Sequence, residues 1–519
     1  MNARKWWTAL LAGAGAVLVL IGTHWIWVAE LPRQEILLSA GGCNTPVTVL
    51  QPPRGVQAAG SAVLIHGLSA NRRLMMYLAE DFAGHGFQSY AIDLPGHGDS
   101  KDAFSFLRAE QCATAAVESL IQSHAIEPRT TVLVGHSMGG TIAIRMADRD
   151  PVEVTVAISP GPTVLPRRMP TNLLVFSASQ DIRVLKDAAK KIADAAGGIR
   201  AAPADFAEAR AFDLQVIPGS THTSLISDRR VAHRSEQWAM QALFPGISPE
   251  TMALNLDLAT YETFGNGRRR LAGGALGFIG ILLIFPLAVS MLAKIGGATT
   301  PEVPGLRPRV GMLLGETAIC AMLGVLILTL GVPLKLLHLF TGAYLVSLLL
   351  IVGIFLLILN FGFALEYASL RPVRLLGAAL LGFATFLAIG AWMNWQLSDA
   401  WMNAPRWLRF AGIVPFLWIY CFAEEVVLGP VHKRGARAAR FGVFLALRLE
   451  IFLACVVAYY ALANGQVLIV LLFVYLALFS ILQRLAADAL RSRTGAATAT
   501  ALFSAILGAW FIASLFPLT

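Results

Sequence analysis

The sequence predicts a two-part protein, with an α/β region first and an all-α membrane region after it. Three observations carry this reading. Short apolar runs that break at glycine-rich turns recur between residues 62 and 217. One of them, Thr131 to His136, ends in Gly135-x-Ser137-x-Gly139 and is followed by a helix-compatible stretch, Gly140 to Ala147. After about residue 270, apolar runs long enough for a bilayer follow one another, separated by short basic loops.

At the N-terminus, Arg4 and Lys5 precede an apolar stretch from Trp6 to Val28, about 23 residues long. A cleaved signal peptide has a shorter core followed by a small-x-small site. This stretch ends instead with Trp25, Trp27 and Glu30, so an uncleaved signal anchor is expected over residues 1–29.

The α/β region follows. Ala62 to Leu68 is strand-like and breaks at His66-Gly67. A second strand, from Gln88, runs into Asp93-Leu94-Pro95-Gly96-His97-Gly98-Asp99-Ser100. The third is the one that ends at Ser137, on a turn so sharp that small residues must flank it. Gly135 and Gly139 lack the side chains that would collide across such a turn.

In this order, His-Gly, Asp-x-Pro-Gly-x-Gly, Gly-x-Ser-x-Gly, an acid and then a histidine, the segment from about 45 to 243 resembles the α/β-hydrolase fold, over about two fifths of the chain. The resemblance implies a doubly wound, mostly parallel sheet over residues 30–245 and serine-hydrolase chemistry without a cofactor. Its chain order, Ser, then acid, then His, points to the remaining residues. Strand-like Asn172 to Phe176 leads to Asp181 as the acid, and Leu214 to Ile217 leads through Pro218-Gly219 to His222 as the base. Ser137 is then the nucleophile. The amides of Leu68 and Met138 are the expected oxyanion donors, with His66, Gly67, Gly135 and Gly139 supporting the turns. The chemistry needs the whole set: a serine hydroxyl is a poor nucleophile until an imidazole takes its proton, and the carboxylate fixes the imidazole tautomer.

Competing assignments stand beside these. Asp205 and Asp213 rival Asp181 as the acid, with helix caps or solvated loop positions as their other reading. His66, His97 and His136 read as packing or hydrogen-bonding residues of their turns, and Asp93 and Asp99 as braces of the turn that follows their strand.

Only about a dozen residues, Pro160 to Thr171, separate two successive strands where lipase-like relatives insert a helical lid. An open site is expected, suited to a small ester, a thioester or an acyl chain presented by a large partner. The excursion from Gly197 to Phe212 is expected to form one wall. Tethering to a bilayer favours a lipid-like ester as the substrate.

Composition describes the remainder. With 519 residues, 56% hydrophobic and 14% charged, the chain is too long for one domain and too apolar for a soluble protein. After a linker at 246–270, spans are expected near 271–293, 311–334, 339–362, 375–394, 410–428, 441–463, 466–483 and 497–516. With the N-terminus inside, the cytoplasmic segments carry 14 basic residues and the opposite short loops six. The positive-inside rule then places the hydrolase domain outside the cytoplasm, in the periplasm of a cell with an outer membrane. Arg268, Arg269 and Arg270 run against this pattern and are read as headgroup contacts. The net charge of +9 is mostly loop arginine, so nucleic-acid binding is not expected, and no zinc-type cysteine pairs, phosphate loop or dinucleotide motif occurs.

Of the five cysteines, Cys43 and Cys112 lie in the exported domain, where a disulfide and two buried thiols are equally open readings. Cys320, Cys421 and Cys455 read as packing residues of spans. Glu424, Glu425, Arg448 and Glu450 lie in or beside spans, where an unpaired charge costs roughly 3 kcal/mol or more, so an ion pair of Arg448 with Glu424 or Glu425 is expected. Glu424-Glu425 looks like the start of the motif of CAAX-type intramembrane proteases. Gly429 stands where that family has arginine and no suitable histidine pair follows, so a second protease centre is not expected. A different class of function keeps the spans as the working part, a transporter or scaffold with a regulatory or inactive hydrolase-like domain.

Overall fold

The structure is a computed structural model that describes residues 3–28, 31–147, 149, 152–246, 266–295, 310–331, 335–396, 401–429, 434–462 and 466–519. It forms two compact units. One comprises 20–276 with 393–399 and 517–519, the other 1–19, 277–392 and 400–516. The expected linker at 246–270 falls largely outside the described residues.

Helix α1 (Ala3–Val28) comes first. The α/β elements then run β1 (Arg33–Ala40), β2 (Cys43–Leu50), β3 (Gly60–Ile65), α2 (Met76–Gly84), β4 (Phe87–Ile92), α3 (Phe106–Gln122), β5 (Thr131–His136), α4 (Met138–Met146), β6 (Val154–Ile158), β7 (Leu173–Ala178), α5 (Arg183–Ala196), α6 (Pro203–Ala207), β8 (Phe212–Ile217) and α7 (Arg229–Leu243). The eight strands form one sheet in the order β1-β2-β4-β3-β5-β6-β7-β8. Strands β3 to β8 pair in parallel, while β1 and β2 join antiparallel at one edge. The fold is thus the expected doubly wound, mostly parallel sheet.

Sequence patterns explain the difference between its centre and its edge. Every residue of β3, β5, β6 and β7 is buried, as continuous apolar runs require when helices cover both faces. One core joins Leu64, Val134, Phe176 and Trp238; the other joins Ile144, Val175, Ile192 and Phe212. The β1–β2 hairpin, mostly upstream of the recognised segment, closes through Gly41-Gly42, whose φ values of 57° and 70° suit a two-residue turn. Cys43 on β2 and Cys112 on α3 form a disulfide, with Cα atoms 5.6 Å apart, which resolves the two readings of this pair.

Residues 160–171 carry no helix, as the lidless expectation required. The wall expected from 197–212 is not one. This excursion enters β8 at its N-terminal end, and its Phe206 packs on Trp238 with ring centroids 4.7 Å apart. It lies at the opposite end of the sheet from the turns after β5, β7 and β8, where ligands of parallel sheets bind.

The remaining helices are α8 (Asn266–Ile295), α9 (Val310–Leu330), α10 (Gly342–Leu359), α11 (Phe361–Tyr367), α12 (Pro372–Gln396), α13 (Ala404–Leu428), α14 (Arg434–Tyr460), α15 (Val467–Leu471), α16 (Phe473–Thr494) and α17 (Ala497–Leu515). Among the described residues, eight helices are long and apolar enough to cross a membrane: α1, α9, α10, α12, α13, α14, α16 and α17. The expected span at 271–293 lies on α8, a helix of 30 residues.

The expected span at 466–483 is displaced. Val467–Leu471 is a separate short helix, and the long one runs from Phe473 to Thr494. Arg484 and Arg491, expected in a loop, are therefore inside a helix and buried. Their carboxylate partners come from other helices or lie one turn away, beyond what a hydropathy window registers. Arg440 is likewise buried. On the opposite side of the count, Arg406 is buried, with Nη1 donating to Phe516 O at 3.1 Å and so capping the end of α17. Arg270 is no headgroup contact, since it is buried and its Nε lies 2.5 Å from Glu80 Oε1. Without these five, the basic residues stand at 11 against four, and the bias keeps its direction.

Candidate active site

The elbow sits where β5 gives way to α4. Ser137 holds φ 54° and ψ −116°, outside the regions an ordinary side chain prefers. The conformation persists because its neighbours leave no alternative: Ser137 N–H donates to Ile158 O at 2.8 Å. A Cβ on Gly135 would strike the Gly139 carbonyl, and one on Gly139 would strike that of Ile65. The glycines singled out from the sequence are thus steric necessities.

Ser137 follows β5, and the loops at the C-terminal ends of β7 and β8 bring the other two groups to it. Its Oγ–H donates to His222 Nε2 at 3.0 Å. His222 Nδ1–H donates to Asp181 Oδ2 at 3.1 Å. The sequence-predicted serine, histidine and aspartate therefore meet in hydrogen-bonded order. Burial by itself pushes the Asp181 carboxyl up. The hydrogen bond and charge of His222, the Ser159 hydroxyl and the Ile182 amide outweigh it, and the group ends below the ordinary carboxylate range.

Ser159 is the residue that sequence reasoning missed. It follows β6, with φ 45°, and its Oγ–H donates to Asp181 Oδ2 at 2.5 Å. The same oxygen lies 3.0 Å from His222 Nδ1 and shares that proton. Ser159 thus bridges Asp181 and His222 behind the imidazole, on the side away from Nε2. A serine at a strand end carries no motif, and only the register of β6 against β7, where Ser159 N–H donates to Phe176 O at 2.8 Å, puts it there.

Hydrogen bonds hold the neighbouring turns together. His66 Nδ1–H donates to Gly67 O at 2.7 Å, and Nε2 accepts from Leu94 N–H at 3.0 Å, which ties two turns together. Burial lowers the His66 pKa and so keeps the ring neutral for this task. His97 accepts from Ser69 N–H at 3.1 Å. Burial, joined by the charge of nearby His222, takes His136 down to about 3; its Nε2–H donates to the His222 carbonyl at 3.1 Å. A Cβ on Gly67 would come within 2.9 Å of Ser137 Cβ, so the segment carrying Leu68 passes directly over the elbow. Met138 opens α4, where the first amides have no intrahelical partner.

Asp93 and Asp99 brace their turn through a residue the sequence did not flag. Buried Arg72 pairs with Asp93 and, at 2.6 Å, with Asp99; its own amide donates to Asp93 Oδ1 at 2.8 Å. Asp205 caps α6 by accepting from Ala202 N–H at 3.0 Å, and Asp213 pairs with Arg234 at 3.2 Å. Both rival acids are thus engaged with groups other than His222.

Residues 62–242, about a third of the chain, match the profile of the Alpha/beta hydrolase family. Over 94 residues the chain is 33% identical to a pimeloyl-[acyl-carrier protein] methyl ester esterase of Nitrosospira multiformis, covering 18% of this chain and 34% of that protein. It is 32% identical over 144 residues to a monoacylglycerol lipase of Mycolicibacterium smegmatis, covering 26% and 49%. The chain thus spans between a third and a half of the length of these relatives. Among solved structures it is similar to a lidless α/β serine hydrolase from Xanthomonas campestris, at 16% identity and a TM-score of 0.34, covering 42% of this chain and 98% of that one.

Proposed function

We propose that this chain is a membrane-anchored serine hydrolase that cleaves an ester-type bond through an acyl-serine intermediate. One observation carries the reading: Ser137 Oγ, His222 and Asp181 stand in a single hydrogen-bonded line at 3.0 and 3.1 Å, on an elbow that glycine alone permits. His222 Nε2 takes the Ser137 proton as Oγ attacks the acyl carbon, and the Leu68 and Met138 amides hold the oxyanion. The imidazolium then protonates the leaving alkoxide or thiolate. A water, deprotonated by the same nitrogen, releases the acid. Asp181, with Ser159 behind it, keeps Nδ1 protonated throughout.

A carboxylic ester, thioester or lipid acyl bond is the substrate class. The absence of a helix over residues 160–171 and the ester-cleaving names of the partial relatives support it. The hydrolase unit is placed outside the cytoplasm, with α1 as its anchor, in an inner (cell) membrane of bacterial type. The Cys43–Cys112 disulfide, which an oxidising compartment favours, and the arginine bias support that side.

Turnover of short- and medium-chain nitrophenyl esters and of monoacylglycerol by the purified full-length protein tests the activity. Hydrolysis that disappears in Ser137→Ala is expected; equal rates in both proteins reject the reading and favour a scaffold. Sidedness is tested with Lys190→Cys and Arg434→Cys in cells with a permeabilised outer membrane. Impermeant maleimide is expected to label the first and spare the second, and the reverse pattern rejects the placement.

A further inference from the structure

Two peptide groups flank the α-carbon of Leu68, and hydrogen bonds hold both. The Gly67 carbonyl shares a planar trans peptide with the Leu68 amide, so the two point in opposite directions. That carbonyl accepts from His66 Nδ1–H at 2.7 Å and from Ala70 N–H at 3.2 Å, which fixes the direction of the Leu68 N–H. On the other side, Ser69 holds φ 58° and its N–H donates to His97 Nε2 at 3.1 Å. His97 can accept there because its ring proton sits on Nδ1, donating to Pro95 O at 2.8 Å.

Both histidines depend on the turn at 94–100. Leu94 N–H donates to His66 Nε2 at 3.0 Å, and His97 belongs to the turn itself. A segment from much further along the chain grips this turn. Pro517–Thr519, immediately after α17, groups with the α/β unit. Leu518 N–H donates to Gly96 O at 3.0 Å, and Leu518 O accepts from Phe104 N–H at 2.7 Å. The Leu518 side chain is buried. The Phe104 ring meets the His97 ring edge-on, with centroids 5.2 Å apart. Gly96 is fitted to this contact: its φ is 74°, and a Cβ there would come within 2.5 Å of Leu518 O.

We propose that Leu518 is a positioning residue for the oxyanion hole. By pairing with Gly96 and Phe104 it holds the turn whose Leu94 and His97 fix the peptides on either side of Leu68. This rests on the reading of Ser137 as nucleophile and of the Leu68 amide as oxyanion donor. Leu518 touches no reacting atom. Its release lets the Leu68 amide swing, which weakens the hold on the tetrahedral oxyanion more than the binding of the ground-state ester.

Leu518→Pro removes the N–H that Gly96 O accepts, whereas Leu518→Met keeps it along with a similar apolar volume. In the full-length protein, Leu518→Pro is expected to lose about tenfold in kcat with KM within about twofold of wild type. That is a fraction of the roughly 10²–10³-fold lost when an oxyanion donor is removed outright. Affinity for an alkyl trifluoromethyl ketone, which adds to Ser137 and places an oxyanion in the hole, should fall in step. Leu518→Met should stay within about twofold of wild type in both measurements. His97→Ala should cost at least as much as Leu518→Pro, and the double variant little more than His97→Ala alone, because both act through one turn. Amide exchange over residues 66–70, read by mass spectrometry, is expected to quicken in Leu518→Pro and not in Leu518→Met. It decides whether the segment holds the turn even if the wild type turns over no ester, an outcome that would sink the Ser137 reading instead. Should Leu518→Pro not fold, Leu518→Ala, which loses the buried side chain, is expected to show the same pattern at about threefold. Exchange unchanged in the folded variant, or quickened exchange with kcat and ketone affinity intact, or a loss confined to KM, overturns the proposal.

Discussion

Both units bury charged side chains, and they neutralise them by different means. Under the hydrolase turns, one guanidinium, Arg72, serves three carboxylates: Asp93, Asp99 and Glu35. The excess negative charge is met by backbone, since the amides of Arg72 and Asp99 both donate to Asp93, at 2.8 and 2.9 Å, and Asp99 and Glu35 are half-exposed to water. In the helical unit, backbone amides are consumed by the helices themselves. There the carboxylates are met by side chains, and four arginines gather around Glu424, Glu425 and Asp488. Loops solvate charge with their own amides, whereas helices must bring in counter-charges from other side chains. The α/β unit can thus hold a serine on a strained turn, while the helical unit holds its charges in a network of buried ion pairs.

The largest expected effect separates chemistry from architecture. Ser137→Ala should lower kcat by roughly 10⁴ to 10⁶-fold, with the unfolding temperature within a degree or two of wild type, measured by ester turnover and calorimetry in parallel.

Next is the acid. Asp181→Asn should cost about 10³ to 10⁴-fold in kcat, because an amide oxygen no longer enforces the imidazole tautomer. Ser159→Ala, which leaves the carboxylate in place, should cost about tenfold, the loss of one charge-assisted hydrogen bond. Asp205→Asn and Asp213→Asn, a helix cap and a partner of Arg234, should each cost less than about tenfold at matched folded fraction.

The contrast in neutralisation is tested by stability. Glu425→Gln removes the carboxylate shared by Arg440 and Arg484, and should destabilise the protein by about 3–5 kcal/mol, as the loss of one partner of a buried pair does. Asp99→Asn removes a half-exposed partner of Arg72 and should cost less than about 1 kcal/mol. Denaturant titration of both variants checks the order; equal losses would mean that amides and water do not share the load under the turn.

The smallest effect concerns pH. The folded His136 pKa, about 3, lies below its ordinary value of 6.5, so the unfolded chain binds more protons between these values and stability falls as pH drops through them. Asp181, also lowered, adds to the loss as pH falls below the ordinary carboxylate range. His136→Gln, which keeps a donor for the His222 carbonyl but does not titrate, should flatten the decline between about pH 6 and 4. Urea midpoints across that range report it.

What was legible in the sequence follows the same division. Gly135, Gly139 and Gly67 mark places where a Cβ has no room, and such positions can be read without coordinates. The continuous apolar runs of β3, β5, β6 and β7 were legible because burial on both faces erases alternation. The β1–β2 hairpin was not, because β1 is largely exposed and β2 contains Pro46. Arg72 and Ser159 act through partners 21 or more residues away along the chain, a distance that no local pattern spans. Helix α16 was displaced because a hydropathy reading scores Arg484 and Arg491 as solvated, and only the packed helices reveal the carboxylates that permit them inside.

The central claim is that Ser137 is the nucleophile. Its most direct test is fluorophosphonate labelling of the full-length protein, followed by peptide mass spectrometry. One adduct is predicted, on the peptide containing Ser137, absent from Ser137→Ala and formed more slowly in Asp181→Asn. An adduct on Ser159, or none in folded protein, would contradict the account.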